Sequence, residues 1–154
     1  MERKTKIHAE DGKQELRIER EFELPVESLF RAYVEAELLE QWMGTKVLRL
    51  DDRAPGAYRY QTTDPTGKDH IFKGCIHELL PNQKITRTFE MEDTGFPVQL
   101  EFLDFETLGP TKSMLRMQMV YQSVEVRDRI LKLPFARGIN MAHDRLQKVV
   151  AQKK

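Results

Sequence analysis

Residues 123–151, SVEVRDRILKLPFARGINMAHDRLQKVVA, carry a long helical pattern that comes after every other element of the chain. Ser123 is a good N-cap for it. Pro134 interrupts it, because the proline ring clashes with a carbonyl one turn back. We therefore predict a short helix from Val124 to about Lys132 and a long helix from about Phe135 to Ala151. The apolar positions on one helical face are Leu131, Phe135, Gly138, Ala142, Leu146 and Val149.

The segments before this helix are mostly strands separated by turns. Residues 15–24 alternate between apolar and charged side chains, the pattern of a half-buried strand. A short helix begins at Pro25, and a second, Ala36–Met43, ends at Gly44. Turn sequences such as Pro55-Gly56 divide the rest into apolar-rich runs. The predicted strands are residues 15–24, 46–52, 57–63, 69–79, 84–91, 98–107 and 112–122.

This order of elements predicts the architecture. An antiparallel sheet with one apolar face needs a cover, and the closing helix can provide it. We predict an α+β fold in which a curved, seven-stranded antiparallel sheet wraps round the C-terminal helix. The two short helices form a bracket at one end of the sheet. Such an arrangement often leaves a cavity between sheet and helix.

Composition limits the possible partners. The chain has 154 residues, which suits one domain, and its 25 basic and 25 acidic residues cancel. The basic closing helix lacks the interleaved aromatic residues of a single-strand binder, so we predict no nucleic-acid partner. The start of the chain has no apolar run typical of a signal peptide, and no stretch has the length of a membrane span. We expect a cytoplasmic protein with no membrane span, made of a flexible segment (residues 1–13) and a single domain (residues 14–154).

Several short motifs together resemble a known family. They are REFELPVESLF (20–30), QWMG (41–44), LDDRAPGAYRY (50–60), FKG (72–74) with ELLP (78–81), and Gly138 followed by DRL (144–146). Their spacing, over about residues 14–151, resembles the heat-shock protein 90 ATPase activator-like family of the START-like (SRPBCC) superfamily. The resemblance implies the helix-grip fold of the birch-pollen allergen. The chain departs from the family at Met43, at Ala57, and at Trp42, which stands alone where many members carry two tryptophans.

The resemblance implies three kinds of function. The first is binding or carriage of a small hydrophobic or amphipathic molecule, as in lipid carriers and hormone receptors of the superfamily. The second is a protein-interaction or chaperone-accessory role, although activators of that type also carry a separate N-terminal domain. The third is a polyketide cyclase-like or dehydratase-like enzyme, with Tyr58, Tyr60 or Glu78 as general acid or base. The residues leave these alternatives open, and outside the enzyme alternative we predict no catalytic residue.

Side-chain alternation along the strands predicts which residues would line a cavity. Aromatic walls with flexible methionines suit a lipid, a sterol, a flavonoid or a polyketide-like molecule. The alternative is that the same side chains simply fill the core. The predicted ligand-binding residues are Trp42, Tyr58, Tyr60, Phe72, Ile76, Arg87, Phe89, Leu100, Phe102, Met117, Met119, Phe135, Gly138, Ile139 and Ala142.

Other chemistry receives little support from the sequence. His70 and His77 lie an odd number of residues apart on one predicted strand, so they face opposite ways and cannot share a metal. His143 is predicted to face solvent, and Cys75 to be a buried, inert thiol away from the cavity. The chain has no Gly-rich phosphate loop and no Cys or His cluster with zinc spacing. We therefore predict no metal site and no cofactor.

Three arginines stand among apolar neighbours on predicted strands: Arg20, Arg87 and Arg116. A buried arginine must find a carboxylate or a carbonyl, because an unpaired buried charge is very costly. For Arg20 we expect an ion pair with an acid on a neighbouring strand. The functional alternative is that Arg20 or Arg87 holds the carboxylate or hydroxyl of an amphipathic ligand.

Overall fold

The computed structural model describes residues 3–152. Its strands are β1 (Lys6–His8), β2 (Glu15–Phe22), β3 (Lys46–Leu50), β4 (Gly56–Thr63), β5 (Asp69–Leu80), β6 (Lys84–Met91), β7 (Gln99–Gly109) and β8 (Lys112–Val120). Its helices are α1 (Val26–Val34), α2 (Ala36–Met43), α3 (Val124–Leu131) and α4 (Phe135–Ala151). The predicted boundaries agree with these to within about two residues at most ends.

The eight strands of the described part form one antiparallel sheet in the order β1-β2-β8-β7-β6-β5-β4-β3. From β3 to β8 each strand pairs with the next along the chain, and β2 pairs with β8 over its full length. The helices α1 and α2 carry the chain from β2 to the far edge of the sheet, where β3 begins. The predicted α+β, helix-grip architecture is confirmed, with one strand more than predicted.

The local signals act as their chemistry requires. The Ser123 hydroxyl accepts a hydrogen bond from the Val126 amide and caps α3. Pro134 separates α3 from α4, as predicted. Gly44 ends α2 in the left-handed conformation with φ 65°, which favours glycine over other residues.

The core lies on the inner face of the sheet, beneath α1, α2 and α4. Alternate residues of β2 point into it, and Leu16, Ile18 and Phe22 are at most 1% exposed. From the helices, Leu29 and Leu146 join the same hydrophobic cluster, and both are fully buried. Inward-facing residues of β4 to β8 belong to the same buried layer, and the site described below lies among them.

The additional strand is β1, which lies within the segment expected to be flexible. Lys6, Ile7 and His8 pair with Glu19, Ile18 and Arg17 of β2. Thr5, just before β1, is 4% exposed and contacts α4. Contacts with β2 and α4 thus join residues 5–8 to the rest of the domain.

The orientation predicted for β7 is also wrong. Leu100 is 37% exposed and Phe102 is half-buried, whereas Glu101 and Leu103 are at most 2% exposed. Leu100 and Phe102 therefore face the outside of the sheet, and neither can line an inner cavity. The charged residue between them, Glu101, is the one that points to the inside.

Three more placements differ from expectation. His143 is 1% exposed rather than facing solvent, because α4 turns it toward Thr5. Cys75 is exposed rather than buried, although it does lie on the outer face, away from the core. Gly138 is exposed, and a Cβ at this position would have no heavy atom within 4 Å, so Gly138 does not face the sheet closely.

Candidate ligand-binding site on the inner face of the sheet

An ion pair lies inside the curve of the sheet. Arg87 of β6 stands directly opposite Glu101 of β7, and Arg87 Nε donates to Glu101 Oε1 at 2.9 Å. The side chains are 12% and 2% exposed. Gln99 Nε2 donates to the other Glu101 oxygen at 2.7 Å. The strand register thus buries two opposite charges together and engages both oxygens of the carboxylate.

Tyrosines surround this ion pair. The Arg87 guanidinium carbon lies 5.3 Å from the ring centroid of Tyr58 and 6.0 Å from that of Tyr33. The ring of Tyr60 lies 5.0 Å from the ring of Tyr58, on the same strand. We call Tyr33, Tyr58, Tyr60, Arg87 and Glu101 the inner polar cluster. It brings together five residues that can donate or accept hydrogen bonds within an otherwise apolar core.

The two neighbouring tyrosines of β4 differ in their hydrogen bonding. The Tyr58 hydroxyl donates a short hydrogen bond to the carbonyl of Thr88. The Tyr60 hydroxyl is buried and has no hydrogen-bond partner among the described residues. Gly74, opposite Tyr58 on β5, makes this packing possible, because a Cβ there would overlap the Thr88 carbonyl and the Tyr58 ring. Buried hydroxyls normally have a hydrogen-bond partner, so the Tyr60 hydroxyl is unusual.

Burial determines the charge state of the cluster. It raises the pKa of the Tyr33, Tyr58 and Tyr60 hydroxyls above the ordinary value, so that all three remain protonated at neutral pH. Burial alone would lower the pKa of Arg87, but the neighbouring tyrosines and Glu101 raise it, and the guanidinium remains charged. The cluster therefore offers protonated hydroxyls beside a neutralised ion pair.

Apolar side chains lie around the cluster. The rings of Phe72 and Phe89 stack with centroids 5.5 Å apart, and both residues are half-buried. On β8, Met117 and Met119 are 5% and 6% exposed. Phe135, Ile139 and Ala142 of α4 are half-buried and pack against the hydrophobic core.

A contact between α3 and the hairpin that joins β6 to β7 lies beyond this apolar layer. The Arg129 guanidinium carbon lies 4.7 Å from the ring centroid of Phe96 in that hairpin. Such a cation–π contact contributes on the order of 0.5–1 kcal/mol at an exposed site. It holds the hairpin against α3.

The structure groups most of the predicted ligand-binding residues. Strand pairing places Tyr58, Tyr60, Phe72, Ile76, Arg87, Phe89, Met117 and Met119 on the inner face. Trp42 belongs instead to the bracket, where its Nε1 donates to the Ala32 carbonyl at 2.8 Å and its ring packs on Tyr33. Sequence reasoning missed Glu101 and Tyr33, and the signal that could have found Glu101 is its position opposite Arg87 once β6 and β7 are paired.

The residues suggested for an enzyme do not converge. A β-bulge lies between Ile76 and Glu78, so that Glu78 pairs with Thr86 on the outer face of the sheet. It accepts a hydrogen bond from Thr86 and lies 3.4 Å from the Lys84 ammonium. It is therefore separated from Tyr58 and Tyr60 by the sheet itself. Within residues 3–152, no three His, Cys, Asp or Glu side chains are grouped so that they could hold a metal ion.

A second buried polar network fixes α4 to the edge of the sheet. Arg20 Nη1 donates to Thr5 Oγ1 at 3.1 Å, and Thr5 Oγ1 lies 2.8 Å from His143 Nδ1. Arg20 Nη2 also pairs with Asp144 at 2.8 Å. The predicted ion pair of Arg20 thus exists, but its partner is on α4 rather than on a neighbouring strand. Burial, and then the charge of Arg20, lower the pKa of His143 to about 3, so the imidazole is neutral.

An open groove of about 660 Å³ lies beside this network, at the edge formed by β1 and β2. Its lining mixes basic residues with glutamates, which gives it no single charge. The lining residues are Arg3, Lys4, Lys6, Glu19, Arg20, Glu21, Glu23, Met114 and Gln147. The groove does not include the inner polar cluster. Its open form and mixed charge make it a weaker candidate for an apolar ligand.

The architecture defines the class of protein. A curved antiparallel sheet that grips a closing helix, with the core on the inner face, is the START-like helix-grip fold. Within that class, residues 23–151 match the family described as activator of Hsp90 ATPase homolog 1-like protein, and the chain belongs to this family.

Solved structures with the same fold come from several organisms. A crystal structure of a Rhodobacter sphaeroides protein aligns with a TM-score of 0.85 at 20% identity, covering 97% of this chain and 99% of the other. The crystal structure of Ms6760 from Mycobacterium smegmatis gives 0.83 at 21% identity, covering 94% of each chain. A solution NMR structure of an Arthrobacter aurescens protein gives 0.86 at 13% identity, covering 96% and 91%. At these identities the similarity shows the fold alone.

A search of curated proteins gave no match to this chain. Across residues 3–152, no helix has both the length and the apolar character needed to cross a membrane.

Proposed function

We propose that residues 14–154 act as a single domain that binds or carries a small hydrophobic or amphipathic molecule between the inner face of the sheet and α4. The observation that carries the proposal is the inner polar cluster, in which the Tyr60 hydroxyl is buried without a partner beside a buried ion pair. An unpaired buried hydroxyl costs about 1–3 kcal/mol. This cost would be unfavourable in a core that only packs, whereas a hydrogen bond from Tyr60 to a polar group of a bound ligand would remove it.

The surroundings of the cluster support the same function. Half-buried Phe72 and Phe89, with methionines behind them, supply an apolar and adaptable surface. Members of this superfamily commonly bind hydrophobic ligands, and family membership is consistent with such a role. Lipids, sterols, flavonoids and polyketide-like molecules are the ligand classes that we propose to screen.

The experiment is a ligand screen by nitrogen-15 chemical-shift perturbation with one compound from each class. We expect saturable shifts at Tyr58, Tyr60, Phe72, Phe89 and Met119. Absence of shifts with every class would contradict a ligand-binding function.

Two matched variants test the location of the site. Phe89→Ala removes an inner ring, and Phe102→Ala removes an outer ring that lies under the Lys84 ammonium. We expect the Phe89 variant to bind any hit at least fivefold more weakly and the Phe102 variant to bind it as the wild type does. Equal losses in both variants would place binding elsewhere.

A specific observation favours a second candidate, a protein-interaction role. Leu131, Leu133 and Met141, from the end of α3 to the middle of α4, are 38%, 47% and 48% exposed. Exposed apolar side chains that form a contiguous patch often mark a protein contact. The family description names an activator of the Hsp90 ATPase. The test is ATP turnover by a purified Hsp90 with and without this chain. Stimulation that disappears in Leu133→Glu would support the role, and no stimulation by the wild type would contradict it.

A further inference from the structure

The inner polar cluster has more donors than acceptors. Both oxygens of Glu101 are engaged, one by Arg87 Nε at 2.9 Å and the other by Gln99 at 2.7 Å. Arg87 uses Nε for this bond, and its two terminal nitrogens carry further N–H donors. The Tyr60 hydroxyl is buried and has no partner in the described part of the chain. An acceptor atom beside Tyr60 would give this hydroxyl a hydrogen-bond partner.

The charge of the cluster restricts what that acceptor can be. Glu101 already neutralises Arg87, and the three tyrosines are protonated, so the cluster carries no net charge. A ligand carboxylate would bring a second negative charge to one buried cation, and the excess charge would be costly to bury. A carbonyl oxygen accepts the same hydrogen bonds without adding charge.

Resting on the proposed function, we propose that the domain selects a neutral, carbonyl-bearing apolar molecule over a carboxylate of the same shape, with Arg87 and Tyr60 donating hydrogen bonds to the carbonyl oxygen. The functional alternative from the sequence was that Arg20 or Arg87 holds a ligand carboxylate or hydroxyl. Glu101 argues against a ligand carboxylate, because the Glu101 carboxylate already neutralises the positive charge of Arg87. The terminal nitrogens then act as hydrogen-bond donors within a neutral pair.

The test compares three molecules that share one apolar body. They are 2-acetylnaphthalene with a neutral carbonyl, 2-naphthoate with a carboxylate, and 2-ethylnaphthalene with no polar group. Dissociation constants come from nitrogen-15 titrations at pH 7.5. We expect 2-acetylnaphthalene to bind at least tenfold more tightly than either of the others, since two hydrogen bonds in a buried site readily supply that factor.

Two variants separate a binding role from a structural one. Tyr60→Phe removes the unpaired hydroxyl, and we expect it to weaken 2-acetylnaphthalene about fivefold while leaving 2-ethylnaphthalene unchanged. Phe102→Ala is the control, because this ring lies on the outer face of the sheet. We expect this control to keep the preference for the carbonyl compound.

The outcomes distinguish this inference from the proposed function. If 2-naphthoate binds as tightly as 2-acetylnaphthalene, or if Tyr60→Phe weakens all three equally, carbonyl selection is wrong while ligand binding stands. If none of the three molecules binds and the wider screen also gives no shifts, both the inference and the proposed function are overturned.

Discussion

His143 makes the stability of the fold depend on pH. Its pKa falls from the ordinary 6.5 to about 3 in the folded protein, because burial and the nearby Arg20 disfavour the imidazolium. The Thr5 hydroxyl accepts from Arg20 and therefore has its own hydrogen to give to His143 Nδ1. Protonation of that nitrogen would break this bond and bring a second cation beside Arg20.

The size of the effect follows from the two pKa values. The folded state binds the proton more weakly than the unfolded state, so the stabilising contribution is complete above pH 6.5 and is lost as the pH falls toward 3. Between pH 7.5 and pH 5.0 this group alone removes about 2 kcal/mol from the free energy of unfolding. That loss is a large part of the 5–15 kcal/mol typical of a domain.

Urea unfolding followed by the fluorescence of Trp42, the single tryptophan of the chain, measures this loss. His143→Gln keeps an acceptor for the Thr5 hydroxyl but does not titrate. We expect this variant to lose about 2 kcal/mol less than the wild type over the same pH range. His77→Gln, at an exposed histidine of β5, is the control and should behave as the wild type. An identical pH dependence in the wild type and in His143→Gln would refute the reasoning.

Three further predictions use matched changes around the sheet and α4. Tyr58→Phe leaves a buried carbonyl unpaired and should lower stability by about 1 kcal/mol. Tyr60→Phe removes an unpaired hydroxyl and should leave stability unchanged or raise it. Thermal melts of the two variants measure the difference. Gly74→Ala should lower stability by about 3 kcal/mol, because the added Cβ overlaps a neighbouring carbonyl. Gly138→Ala, at an exposed helical position, should raise stability by about 0.5–1 kcal/mol. Equal urea midpoints for the two variants would contradict this. Arg87→Met leaves a buried carboxylate without its cation and should lower stability by about 3–5 kcal/mol, and a loss below 1 kcal/mol by urea unfolding would show that the pair is unimportant.

Local chemistry made most of the fold predictable from sequence. Alternation, turn residues, the Ser123 cap and the Pro134 break are properties of short segments, and each segment appears near its predicted place. The strand β1 was missed because three residues carry too little pattern. Its partners are distant in sequence: β1 pairs with β2, and the preceding Thr5 bonds Arg20 and His143, so no local signal reveals it.

The candidate site was predictable only in part, because its polar residues depend on strand pairing. Leu100 and Phe102 were assigned inward because they are apolar residues that alternate along one predicted strand. Pairing of β6 with β7 reverses that assignment by placing Glu101 opposite Arg87, where each neutralises the other. Glu78 was displaced to the outer face by a β-bulge, which adds one residue and inverts the alternation.

The central claim is that a small molecule binds on the inner face of the sheet. The chain has seven methionines, of which Met117 and Met119 are buried on the inner face and Met141 is 48% exposed on α4. Carbon-13 labelling of the methionine methyl groups, followed by titration with 2-acetylnaphthalene, reports on both places in one spectrum. We expect the Met117 and Met119 methyl resonances to shift with a common, saturable dissociation constant and the Met141 resonance to stay in place. Shifts at Met141 with none at Met117 or Met119 would contradict the inner site and place the contact on the exposed face of α4.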